Sequence, residues 1–245
     1  TNLTLNNAAS IVCDAWNGAK GGIIAIEVDG ATVIDGTVSA TGRGFRGGVV
    51  DNQSSFGSND VAFTSPVFGA EKGESIAGFQ NDYNVVGGRY CKGAPANGGG
   101  GGNMHNAGGG GGGNGGNPLN WIAVGNPSLA VANWANGWNL EWPGLANATS
   151  SGGGKGGYTA STNNQNALIV GPNVGSWGGD SRNKQGGYGG RPLNYTNGKI
   201  FFGGGGGAGD GNDGYTGAGG AAGGIIFLNC YGPIIGSGTF VSNGN

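Results

Sequence analysis

A chain of 245 residues with a formal charge of -2 and only 10% charged residues has no basic footprint for nucleic acid and no polybasic patch for a membrane surface. No apolar run approaches the ~18–20 residues that a membrane-spanning helix needs. Glycine supplies 63 residues, about a quarter of the chain, against a usual share of ~7%.

Thr1-Asn2-Leu3-Thr4 carries no basic and apolar leader, so the chain reads as a mature or excised segment. The alternation Asn2-Leu3-Thr4-Leu5 reads as a short strand within Thr1 to Ser10, available for donation to another copy. Next comes Gly22-Ile23-Ile24-Ala25-Ile26-Glu27-Val28-Asp29-Gly30, a β-branched run bounded by glycine. It aligns without a gap with Gly224-Ile225-Ile226-Phe227-Leu228-Asn229-Cys230-Tyr231-Gly232. At the same offset, Gly36-Thr37-Val38-Ser39-Ala40-Thr41-Gly42 aligns with Gly238-Thr239-Phe240-Val241-Ser242-Asn243-Gly244. Each copy reads as strand, turn, strand.

Between the copies lie unbroken glycine runs at 98–102, 108–113 and 203–207. Ordering glycine costs more backbone entropy than ordering any other residue. Linkers, however, are poor in aromatics, whereas this chain carries 6 Trp, 9 Phe and 7 Tyr. Order is therefore expected. The runs lack the every-third spacing of collagen, but oligoglycine favours the related extended helix, with three residues per turn and ~3.1 Å rise. Packed without Cβ atoms, neighbouring chains can satisfy each other's N–H and C=O groups.

The expected fold is all-β and irregular with almost no α-helix: a β-sheet scaffold from the two repeats encloses a packed, polyproline-II-like polyglycine slab. One module spans 1–245, with an N-terminal β unit (1–48), a glycine-rich insertion (49–219) and a C-terminal β unit (220–245). Trp134, Trp138 and Trp142 stand four apart, but Gly137 and Pro143 argue for an ordered loop rather than a helix.

Residues with chemical potential are few. His105 is the sole histidine and has no nucleophile elbow near it. Glu27 with Asp29 and Asp35, or Glu71 with Glu74, are the carboxylate groupings to weigh for glycoside hydrolysis, and none names a matched acid and base. No catalytic residue is assigned, and the expectation is that the chain is not an enzyme. Asp210, Asn212 and Asp213 sit on a glycine-hinged turn whose oxygens suit Ca²⁺, although the same residues are ordinary turn formers; no other cofactor is expected. Trp134, Trp138 and Trp142 are the candidate ligand-binding platform, for a glycan above all. Of three cysteines, Cys230 falls in an apolar strand pattern, which leaves Cys13 and Cys91 as the candidate disulfide.

The string Gly36 to Gly48, the runs 98–113 with Asn103, His105 and Asn106 between them, and the stretch Ile200 to Gly214 resemble recurring segments of large secreted proteins of the Bacteroidota. The glycine runs alone are also similar to those of phage tail-fibre adhesins built on polyglycine helices. The resemblance implies an extracellular, surface-anchored glycine-rich module. The leading expectation is a subunit or tandem domain of a bacterial cell-surface fibre, associating head to tail with copies of itself. A glycan- or receptor-binding adhesin module is the alternative, and a carbohydrate-active enzyme on a β-solenoid the third reading.

Overall fold

A computed structural model describes residues 1–52, 60–103, 107–116, 152–154, 156, 186–196, 198–211, 214 and 216–245. They are strand and irregular backbone with almost no helix, in accord with the all-β expectation. The helical pieces are one 3-10 turn, Pro66–Phe68, and the five-residue α1, Asn81–Val85. Among the described residues no helix is long and apolar enough to cross a membrane.

Eight short strands among the described residues form three stacked coils. Coil 1 holds β1 (Leu3–Leu5) and β2 (Ser10–Val12). Coil 2 holds β3 (Ile23–Val28), β4 (Thr32–Ile34) and β5 (Thr37–Ser39). Coil 3 holds β6 (Ile225–Cys230), β7 (Ile234–Ile235) and β8 (Thr239–Val241). All pairing between these strands is parallel, in the orders β1-β4-β7, β2-β5-β8 and β3-β6. The repeat in the sequence is thus a physical register: Ile23 stands opposite Ile225 and Val28 opposite Cys230.

Alternation sets the faces of each strand. In β3, Ile24 and Val28 point inward while Ile23 and Glu27 face solvent. Leu5, Ile24, Ile34, Val38 and Ala40 form the buried cluster, with Leu3, Ile11, Cys13 and Ile226 packed against it.

Coil 1 was not expected as a third copy. Leu3 pairs with Thr32, 29 residues on, whereas Ser10 pairs with Thr37, 27 residues on. The turn between its strands is two residues longer, so an ungapped comparison does not register it. The strand expected to be donated is engaged at home, because Leu3–Leu5 completes a sheet with Thr32–Ile34 of its own chain.

The glycine segments are joined by backbone hydrogen bonds. Gly204 donates to Gly113, Gly205 to Glu74 and Gly206 to Gly220; then Gly207 donates to Gly110, Ala208 to Glu71 and Gly209 to Gly217, all at 2.8–3.0 Å. Asp210 returns to Ala107 at 2.9 Å. Every third amide therefore meets the same neighbour. That period is neither the two of a strand nor the 3.6 of an α-helix. From other directions Gly99 and Gly102 donate to Gly205 and Ala208, and Gly48 donates to Gly206. Closeness explains the composition: a Cβ on Gly205 would strike the Arg46 carbonyl, and one on Gly110 the Tyr188 carbonyl.

Side chains bind this body to the coils. Phe202 packs against Trp16 at 5.4 Å and edge-on against Phe45 at 5.2 Å between ring centroids. Trp16 Nε1 donates to Glu74 Oε1 at 3.0 Å, which ties coil 1 to the insertion. Arg46 grips the same carboxylate, Nε to Oε2 at 2.8 Å and an Nη to Oε1 at 2.9 Å, while its guanidinium lies 4.5 Å from the Phe79 ring centre.

Candidate functional site

Three features outside the buried core could carry function: the open end of the coil stack, a groove walled by glycine, and the ionic cluster around Glu71 and Glu74. The coil 3 end is the most distinctive. β6, β7 and β8 each lie at the edge of their sheets. In coil 2, Thr32 and Val38 are 0% and 1% exposed, yet their ladder partners Ile234 and Phe240 are 54% and 48% exposed. These inward columns continue to the end of the stack and meet solvent. Phe227, Tyr231 and Ile235 are exposed beside them. Residues 224–245 contain no Asp, Glu, Lys or Arg, the residues that usually guard a sheet edge against pairing.

The groove, of about 500 Å³, runs between segments 108–112, 203–209 and 217–223. Among the described residues its walls are glycine and alanine backbone with Asn114 and Asn245, and no Asp, Glu, His, Lys, Arg, Cys or Tyr side chain lines it. Its surface offers backbone amides and carbonyls rather than acid–base chemistry.

The carboxylates weighed for hydrolysis are committed to separate partners. Glu71 accepts from Arg89 Nε and from the Val49 amide, both at 2.7 Å. Glu74 accepts from Arg46, from the Arg46 amide at 2.9 Å and from Trp16. Glu27 accepts from the Tyr231 hydroxyl at 2.9 Å, and Asp35 from the Ser237 amide at 3.1 Å. Asp29 is instead exposed to solvent, its side chain 79% accessible. Hydrogen bonding to Glu74 raises the Arg46 pKa above its ordinary value. Lys72 is 5% exposed and donates from Nζ to the Val61 carbonyl at 2.8 Å; burial pushes its pKa down to about 8. Tyr83, buried against the Gly73 carbonyl and the Ser75 hydroxyl, is pushed up to about 12 by desolvation.

The expected disulfide is not formed. Cys13 packs against the coil core, while Cys91 is fully buried in the insertion with its thiol 3.5 Å from the Phe68 carbonyl. Local polarity made Cys91 look loop-like, whereas its surroundings are interior. Cys230 stays a thiol, 3.1 Å from the Thr32 hydroxyl. Of the calcium candidates, Asp210 is 1% exposed and its backbone bridges Asp51 and Ala107; Asn212 and Asp213 lie outside the described residues. Among the described residues no three His, Cys, Asp or Glu side chains group as metal ligands. Trp134, Trp138, Trp142 and His105 also lie outside the described residues.

Sequence reasoning missed the Trp16, Arg46 and Glu74 junction, because residues 28 and 58 apart in sequence leave no periodic signal. It also missed the bare end of coil 3, although the absence of charge from 224–245 was readable. Compared with known protein families, curated proteins and solved structures, the chain matches none.

Proposed function

We propose that this chain is an extracellular structural and adhesive module of a bacterial surface fibre, joined end to end with other copies, and that its glycine segments form a packed polyglycine-helix slab. The observation that carries this reading is the three-residue recurrence of backbone hydrogen bonds from Gly204 to Asp210. A body cross-linked in several directions by main-chain bonds resists deformation without needing a large side-chain core. Glycine supplies the close approach, and the aromatic cluster of Trp16, Phe45 and Phe202 fastens the slab to a β-coil spine. The resemblance to surface proteins of the Bacteroidota agrees with this role. Electron microscopy of the purified protein tests it: extended fibres support the reading, and isolated particles at every concentration contradict it.

A second reading, a glycan- or receptor-binding adhesin, is favoured by where the slab segments end. Bonds from Gly211 to Asp51, Asp210 to Ala107, Gly187 to Gly108 and Gly156 to Gly187 gather these residues at one end. That end lies opposite Phe45 and Gly223, where the slab meets the coils. Backbone gathered at one end of a rigid scaffold can serve as a recognition rim. Gly116, whose amide bonds Leu193, lies at the other end, and Trp134, Trp138 and Trp142 lie outside the described residues. Glycan binding that survives replacement of all three tryptophans by alanine assigns recognition to the rim. Loss of binding with an unchanged thermal melt assigns it to the tryptophans.

A further inference from the structure

We infer that the open end of coil 3 docks the coil 1 end of a second copy, so that the inward columns of one stack continue into the next. This rests on the end-to-end reading above and names the two surfaces that meet. The columns are already defined within one chain. Leu3 stands in register with Thr32 and Thr32 with Ile234; Ile11 stands in register with Val38 and Val38 with Phe240. Ile234 and Phe240 are about half exposed, because no described strand pairs beyond the last coil. A second copy translated along the stack sets its Leu3 over Ile234 and its Ile11 over Phe240. The interface already made between coils 2 and 3 is then repeated with like chemistry.

Direction selects coil 1 as the occupant. Every ladder in the stack is parallel, and a head-to-tail copy keeps it so. Two coil 3 ends meeting about a twofold axis would run their strands antiparallel and break both columns. Coil 1 also presents an edge, because β1 and β2 are the outer strands of their sheets among the described residues. The amide of Leu3 bonds the Ala31 carbonyl, so the alternating amide of Thr4 faces away from coil 2 towards that edge. Two of the three sheets cross the junction. The third sheet, β3-β6, is formed by coils 2 and 3 alone among the described residues. A heterologous contact of this kind does not close on itself and yields open chains.

Sedimentation of the full chain over a wide concentration range tests the pairing. Wild type is expected to grow in mass with no end point. Phe240→Lys, which blocks the coil 3 end, and Ile11→Lys, which blocks the coil 1 end, should each hold the protein at single-chain mass, with at least a tenfold loss of apparent affinity. Mixing the two variants should then give a species of two chains and no larger, since each supplies the surface that the other lacks. Thr4→Pro, which removes the outward amide, replaces Ile11→Lys if circular dichroism shows that variant unfolded. Assembly of Phe240→Lys at wild-type affinity overturns the junction while leaving the fibre reading standing. Dimers of Ile11→Lys or Thr4→Pro alone overturn it in favour of a coil 3 to coil 3 contact. A wild type that keeps single-chain mass throughout overturns both the junction and end-to-end association.

Discussion

Thr37 and Thr239, 202 residues apart in the chain, face each other across a parallel ladder with their hydroxyl oxygens 3.2 Å apart. The same separation recurs between Asp35 and Ser237 and between Thr41 and Asn243. The chain between Gly42 and Gly224 therefore has to return to the point from which it departed. It can do so because its two limbs bind each other: Ala222 donates to the Phe45 carbonyl and Gly219 to the Gly48 carbonyl, both at 2.8 Å.

The packing of that return path predicts a sharp contrast between glycines. Gly110→Val should destabilise the protein by about 3 kcal/mol, since a Cβ there meets the Tyr188 carbonyl and backbone cannot step aside. Gly217→Ala should cost little, because a Cβ at Gly217 meets nothing within 4 Å. Denaturant melts of the two variants check the contrast, and equal stabilities would mean that the segments are not packed.

The Arg46–Glu74 pair should behave as a clamp rather than a surface ion pair. Glu74 is 7% exposed and also receives Trp16, so Glu74→Ala strands a guanidinium and an indole N–H. The expected loss is about 3 kcal/mol. Arg46→Lys should recover only part of the wild-type stability, because an ammonium cannot bond both carboxylate oxygens while lying on Phe79. A double-mutant cycle on thermal melts measures the coupling, and full rescue by lysine would contradict it.

Lys72 makes stability depend on pH in a defined direction. Its pKa is about 8 in the folded protein against an ordinary 10.5, so between those values the unfolded chain binds the extra proton. Stability should then rise with pH through that window, by about 3 kcal/mol at full extent. Below pH 8 the buried ammonium is charged in both states and its desolvation cost is fully present. Above about pH 10 Tyr83 acts in the opposite sense, since its raised pKa keeps it protonated only when folded. Melts between pH 7 and 9.5 should therefore show a rise in wild type that Lys72→Met lacks. A similar rise in both would place its origin elsewhere.

The sequence made some of this legible for a simple reason: a parallel in-register ladder copies its pattern from coil to coil. Gly22 to Gly42 and Gly224 to Gly244 could be aligned by eye, and the all-β class followed from them. Coil 1 escaped because two added turn residues between Leu5 and Ser10 shift the register from 29 to 27. Cys91 was misjudged because burial in the insertion comes from segments distant in sequence, such as the Phe68 carbonyl. Order in the glycine runs was expected from their aromatic surroundings, and Phe202 beside Gly203 does pack on Trp16 and Phe45. Which amide meets which carbonyl was not readable, since glycine carries no side chain to mark a face. The short α1 was also unmarked, because Asn81-Asp82-Tyr83-Asn84-Val85 has neither a helical apolar stripe nor a capping box.

Amide hydrogen exchange resolved at single glycines tests the central claim most directly. In the run 108–113, Gly110 donates to Gly100 and Gly113 to Asn97, whereas Gly109 and Gly112 make no backbone donation to any described residue. Gly204, Gly205, Gly206 and Gly207 all donate. The account predicts slow exchange at Gly110, Gly113 and Gly204 to Gly207, retarded at least about a thousandfold, beside fast exchange at Gly109 and Gly112. Uniformly fast exchange through both runs, at the rate of an unstructured chain, would contradict it.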